Sequence, residues 1–194
     1  MTKRAERDKW LSQDEVKALL AHVDRKADPV QRTLVHFLLH TGFRIREASN
    51  AKFEDLTLSG REPEIRTLGK GAKERVVPLS PKLVTVLRKY IAFRESVKTT
   101  KGRWGEKLNG NGLLFPYNSR HLRRIYGDAV RGAGLKRGFN SHAARHSFIT
   151  AVYSKTKDLK LAADLAGHRS VATTQIYTHS TAEDRRKAVG GLYE

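Results

Sequence analysis

The chain has 194 residues and no cysteine, and its 38 lysines and arginines against 20 aspartates and glutamates give a formal charge of +18 at pH 7. That length supports one domain with a sizeable core, and 39% hydrophobic residues set in helical periodicity exclude a disordered basic tail. The missing cysteines exclude disulfide stapling and thiolate metal sites, while a charge far beyond what solubility needs calls for a polyanionic partner.

Taken in chain order, Ser12-Gln13-Asp14-Glu15 is a capping box, with Val16, Leu19, Leu20 and Val23 following at helical spacing. A second helix opens at Asp28-Pro29, where proline is tolerated in the first turn, and runs through Leu34 to Leu39 until Thr41-Gly42 stops it. A third begins close to Arg44. The pattern then changes to three short strands, Phe53 to Leu58, Glu64 to Leu68 and Arg75 to Pro78, separated by Ser59-Gly60 and by the Gly69 to Lys73 turn. Ser80-Pro81 caps a helix carrying Leu83, Val84, Val86, Leu87 and Ile91, and the polar stretch from Lys98 to Gly112 reads as an exposed loop. From about Ser119 the chain is mostly helical. The expected class is mixed α/β, predominantly helical, with a small antiparallel three-stranded sheet.

No stretch reaches the roughly eighteen continuous apolar residues of a membrane span, and Met1-Thr2-Lys3-Arg4 is not followed by the apolar core of a secretory signal. The sequence therefore predicts a soluble, cytoplasmic protein.

Five short segments carry candidate chemistry. Thr41-Gly42-Phe43-Arg44 sets an arginine just after a helix stop, with Glu47 three residues on. Gly69-Lys70-Gly71-Ala72-Lys73 sets a lysine at a strand turn, and His142-Ala143-Ala144-Arg145-His146 follows later. Near the C-terminus stand Leu165-Ala166-Gly167-His168-Arg169 and then Thr174-Gln175-Ile176-Tyr177-Thr178-His179, with His168 nine residues before Tyr177. In this order the segments resemble the catalytic set of the tyrosine recombinases, the phage integrase family. His142 and His146 at i, i+4 with His168 would be a zinc reading, but the His-Glu-x-x-His pattern and cysteine ligands are missing. No Gly-x-x-x-x-Gly-Lys-Ser/Thr loop is present either. Neither a metal nor another cofactor is expected.

Cutting DNA with a tyrosine hydroxyl needs an attacking oxygen, stabilisation of charge on the nonbridging phosphate oxygens, and a proton for the departing sugar oxygen. The resemblance implies Tyr177 as nucleophile, forming a 3′-phosphotyrosine and freeing a 5′-hydroxyl. Arg44 and Arg145 would clamp the phosphate with planar, always charged guanidinium forks, and His168 would donate to a nonbridging oxygen. Lys70 matches the family's Gly-Lys-Gly position and would be the general acid, with Lys73 in the same turn as a rival. His142 would act as general base or phosphate ligand, His146 would be structural, and Glu47 would orient a neighbouring basic group.

The resemblance runs in order from about Leu11 to Thr178, and it implies a tyrosine-recombinase catalytic fold over residues 1–179. It also implies duplex DNA as partner, a monomer in solution and a homotetramer on synapsed sites. Two departures stand out. Most relatives carry an additional N-terminal helical domain, so the chain is either an excised catalytic domain or a naturally short recombinase; and Ala144 precedes Arg145 where leucine is common. Residues 180–194, with Asp184, Arg185, Arg186 and Lys187 before Val189 to Tyr193, form a tail that is either a protomer-docking segment or a frayed basic terminus. A type IB topoisomerase, using similar chemistry without pairing two sites, and a noncatalytic DNA-binding module are the alternative functions.

Overall fold

The computed structural model describes residues 10–68, 74–97, 112–135 and 140–167. Seven α-helices and one three-stranded sheet occupy these stretches, in the order α1 (Gln13–Lys26), α2 (Pro29–Thr41), α3 (Ile45–Asn50), β1 (Leu56–Thr57), β2 (Glu64–Leu68), β3 (Glu74–Pro78), α4 (Pro81–Val97), α5 (Ser119–Gly132), α6 (Ser141–Thr156) and α7 (Leu159–Ala166). The mixed, mainly helical class read from the sequence is the one observed.

Helix α2 lies at the centre. Val30, Leu34, Val35, Phe37, Leu38 and Leu39 are all buried, so apolar side chains point around most of its circumference, as a helix surrounded by others requires. It packs against α1, α4, α5 and α6. Phe37 meets Phe43 and Phe115 edge to face, with ring centroids 4.9 and 5.4 Å apart.

The predicted helix starts are borne out by their hydrogen bonds. Ser12 Oγ accepts from Glu15 N at 3.2 Å while the Glu15 carboxylate accepts from Ser12 N at 2.8 Å. Asp28 Oδ1 accepts from Val30 N and Gln31 N ahead of a helix with proline in its first turn. Ser80 Oγ accepts from Leu83 N at 3.3 Å at the start of α4. Gly42 ends α2 in the left-handed conformation, φ +64°, which L side chains adopt only at a cost.

The sheet has order β1-β2-β3 and is antiparallel throughout, with Leu56 opposite Ile65, Ile65 opposite Val77, and Thr67 opposite Arg75. One expectation needs correction: the segment from Phe53 to Leu58 is not one strand. Phe53–Asp55 is a 3-10 turn and only Leu56–Thr57 pair with β2. The reason is local competition for backbone partners, since Asp55 Oδ2 accepts from Lys52 N at 3.0 Å and Phe53 N donates to Gly112 O at 2.9 Å. The Gly69 to Lys73 turn and the Lys98 to Gly112 loop, Gly112 itself excepted, lie outside the described residues.

Candidate active site

The glycine that ends α2 redirects the chain so that Phe43 enters the core and Arg44 becomes the N-cap of α3. Glu47, one turn into that helix, accepts from Arg44 twice: from the backbone N–H at Oε2 and from Nη1 at Oε1, both at 2.7 Å. The i, i+3 relation read from the sequence thus holds the arginine by main chain and side chain together. Arg44 keeps 36% of its side-chain surface exposed while Glu47 keeps only 9%. The exposed cation stands on a buried anion.

Arg145 reaches the same carboxylate from α6. Its Nη1 donates to the Gly42 carbonyl at 2.8 Å and stands 3.9 Å from Glu47 Oε2, with the residue 4% exposed. Segments from opposite halves of the chain are therefore joined at the end of α2, and the two arginines singled out in the sequence converge. Ala144, the departure from the usual leucine, is fully buried in the main core.

A third guanidinium completes the arrangement, and sequence reasoning did not single it out. Arg75 on β3 donates from Nη2 to Glu47 Oε2 at 3.2 Å and from Nη1 to the Ala166 carbonyl at the end of α7. Its guanidinium also lies over the Phe43 ring, 5.0 Å from the centroid. Strand alternation puts Arg75 on the same face as Val77, and the pairing of Val77 with Ile65 turns that face inward. Glu74, Val76 and Pro78 face out, and an inward-facing cation needs a partner.

Three guanidiniums against one carboxylate leave a local charge of +2. Burial alone would push the Glu47 carboxyl up, but Arg75, the Arg44 backbone and side-chain donors, and Arg145 together hold it below the ordinary carboxylate value. Glu47 is thus an anion at neutral pH.

His142 lies at the start of α6, where Asn140 Oδ1 accepts from its backbone N–H at 2.9 Å. Burial lowers the affinity of its imidazole for a proton, and the charges of Arg145, Arg44 and Arg123 act in the same direction. It is therefore neutral at pH 7 and able to accept a proton or a hydrogen bond. Arg123, on the exposed face of α5, is a second cation near the site that the sequence did not mark out.

Beside Arg44 a cleft of about 1160 Å³ opens between α3 and the sheet, bordered by Arg46, Asn50, Lys52, Arg66 and Glu74 among others. Lys52 is already paired there with Glu54 at 2.7 Å. Arg44, Glu47, His142 and Arg145 are thus gathered in one place, with Arg75 behind them. Lys70, His168 and Tyr177 lie outside the described residues, as does the tail 180–194. Among the described residues no group of three histidines or carboxylates could hold a metal ion, and no helix is long and apolar enough to cross a membrane. A half-exposed guanidinium beside a neutral imidazole, with a second guanidinium buried at their base, is suited to binding an anion and moving a proton next to it.

The chain as a whole is similar to known proteins. The model of the phage integrase family matches residues 9–184. A tyrosine recombinase of Thermosipho africanus is 30% identical over 184 residues, covering 94% of this chain and 61% of the relative. Tyrosine recombinase XerD of Corynebacterium glutamicum is 34% identical over 189 residues, covering 94% of this chain and 60% of that protein. Among solved structures, XerA recombinase superposes with a TM-score of 0.74 at 28% identity, over 92% of this chain and 61% of its own. XerH recombinase bound to its difH substrate in a pre-cleavage complex gives 0.74 at 29%, over 96% of this chain and 55% of its own. This chain therefore spans about three fifths of the length of the curated relatives, and the fold is that of a tyrosine recombinase catalytic domain. Matched over most of its length by the family's model, and by relatives 30% or more identical, the chain belongs to the phage integrase family.

Proposed function

We propose that this chain is the catalytic part of a site-specific recombinase that cuts and rejoins duplex DNA through Tyr177. The observation that carries the reading is the convergence of Arg44 and Arg145 on Glu47, with His142 one turn before Arg145 on α6. Simple attraction to DNA needs only distributed positive charge. It does not need one arginine buried at the end of α2 and another fixed at both backbone and side chain.

In the proposed reaction the Tyr177 oxygen attacks the scissile phosphorus in line and gives up its proton to a base, the role assigned to His142. Arg44, Arg145 and His168 hold the nonbridging oxygens as charge builds on them. The bond from phosphorus to the 5′-oxygen breaks, and Lys70 protonates that oxygen. The product is a 3′-phosphotyrosine and a free 5′-hydroxyl. Attack by a 5′-hydroxyl on the phosphotyrosine reverses the step, so the balance closes without a nucleotide or a metal.

On this reading residues 1–179 form the catalytic domain and residues 180–194 dock on a neighbouring protomer. The partner is double-stranded DNA, bound by a homotetramer that pairs two sites and assembles from monomers. The solved XerH complexes with difH before and after cleavage support this choice of partner. The place of action is a prokaryotic cytoplasm, on chromosomal or phage DNA.

The experiment is covalent capture. Purified protein is incubated with fragmented DNA of its source, denatured, and the protein-linked fragments are sequenced at their ends, with Tyr177→Phe and Arg145→Ala in parallel. Adducts at a few defined sequences, lost in Tyr177→Phe and reduced by orders of magnitude in Arg145→Ala, are expected. Adducts scattered over degenerate sites would point to topoisomerase-like relaxation, and measurable binding without any adduct would point to a noncatalytic module.

A further inference from the structure

Arg75 is a cation on the inward face of a strand, 8% exposed, in a position where an apolar residue such as neighbouring Val77 would fill the space between sheet and helix. Burying a guanidinium there costs several kcal/mol unless good partners compensate. Its partners are all parts of the site. One nitrogen donates to Glu47 Oε2, another to the Ala166 carbonyl, and the planar group covers Phe43, the residue before Arg44.

Each contact restrains something different. Glu47 Oε1 receives the Arg44 side chain, while Oε2 receives the Arg44 backbone N–H and Arg75. With both oxygens engaged, the carboxylate plane is fixed, and so is the Arg44 guanidinium lying on it. At the other end, Ala166 closes α7, where unsatisfied carbonyls gather partial negative charge and favour a cation. Gly167 follows in the left-handed conformation, and a Cβ placed on it would overlap the Arg75 side chain, coming within 3.2 Å of Cδ. The close approach of backbone to guanidinium thus depends on a glycine. One peptide bond further along the chain is His168.

We infer that Arg75 is a positioning residue for DNA cleavage: it locks the Glu47 carboxylate that aims Arg44 to the end of the helix leading into His168. The inference rests on the recombinase reading and adds to it a residue that does not touch the scissile phosphate. Arg75 thus ties β3 to α3 through Glu47 and to the end of α7 through Ala166.

The test compares wild type, Arg75→Gln and Arg75→Lys on a nicked duplex carrying a captured target sequence, so that cleavage is irreversible. Single-turnover rates at saturating protein, dissociation constants, thermal midpoints and the pH dependence of cleavage are read together. Arg75→Gln is expected to cleave about tenfold to a hundredfold more slowly, the size expected for a group displaced by roughly 1 Å, with its dissociation constant changed by less than about twofold. Its acid limb should move to higher pH as Glu47 loses an opposing charge. Arg75→Lys keeps the charge but cannot donate to Glu47 and Ala166 from one rigid fork, and should recover only part of the rate.

An undiminished rate in Arg75→Gln overturns the inference and leaves the recombinase reading standing. So does a loss that follows the thermal midpoint and vanishes on cooling, or one confined to DNA affinity, because either marks a structural or binding role. If Arg75→Gln does not fold, Arg75→Lys decides by the same criteria. Absence of an adduct in wild type overturns both readings.

Discussion

Replacing Gly42 with alanine tests the junction on which the proposed site is built. Two penalties are separable. At φ +64° an alanine bears about 1–2 kcal/mol of left-handed strain. In addition, its Cβ would lie 3.0 Å from Phe148 Cγ and Cε1, and closer still to Cδ1, where ordinary carbon contacts are about 3.5–4.0 Å. Phe148 is buried and packs with Ile149, Ala162 and Ala166, so the ring cannot swing into solvent, and overpacking of this kind costs about 1–3 kcal/mol. The sum is about 2–5 kcal/mol, a large share of the roughly 5–15 kcal/mol that holds a typical domain together. Gly134 supplies the control, since it has φ +72° and no atom within 4 Å of an added Cβ. Gly134→Ala should show the strain alone. Urea unfolding of both variants measures the difference, expected at about 1–3 kcal/mol. Because the Gly42 carbonyl accepts from Arg145, which lies one turn before Phe148 on α6, cleavage by folded Gly42→Ala should also fall. Equal destabilisation by the two substitutions would refute the packing argument, and normal cleavage by Gly42→Ala would refute the coupling to Arg145.

Three further outcomes are expected. The folded-state affinity of Glu47 for protons is depressed, so its contribution is fully present above the ordinary value of 4.5 and is lost as pH falls through the lower folded value. Glu47→Gln should cost about 3–5 kcal/mol at neutral pH and flatten this acid limb in urea titrations, whereas an unchanged limb would contradict the network. His40, pushed down to about 4 chiefly by burial and then by His36 and Lys82, stacks on His36 and shares a hydrogen bond of 2.8 Å with Ser80 Oγ. As a histidine held neutral, it stabilises the fold above its ordinary value of 6.5 and loses that contribution as pH falls toward 4. His40→Gln should therefore remove a loss of about 1–3 kcal/mol between those pH values, and an unaltered profile would contradict this. Finally, if DNA is the partner, affinity should fall steeply and linearly with the logarithm of salt concentration, and a flat dependence would count against contact with several phosphates.

Much of this molecule is legible in its sequence, for identifiable reasons. The starts of α1, α2 and α4 are written in Ser12 with Glu15, Asp28 with Pro29, and Ser80 with Pro81, because capping is a local interaction between near neighbours. The pairing of Arg44 with Glu47 is equally local. Phe53 is different: its alternating, β-prone context suggests a strand, but Asp55 and the distant Gly112 carbonyl take the backbone groups the strand would use. Arg75 was hidden because Val76 and Val77 are both apolar, so alternation alone does not say which face of β3 turns inward. That is decided by Ile65, which pairs with Val77 across the sheet. The meeting of Arg145 with Gly42 is likewise a product of helix packing, and no local pattern announces it.

The most direct test of the central claim is to identify the residue that carries DNA. The covalent adduct is trapped on a nicked target duplex, digested with nuclease and protease, and its peptides are sequenced by mass spectrometry, while the other end of the cut is tested for a free 5′-hydroxyl. One modified residue is expected, Tyr177, joined to a 3′-phosphate. A nucleotide attached to any other side chain, or a 5′-phosphate linkage, would contradict the claim.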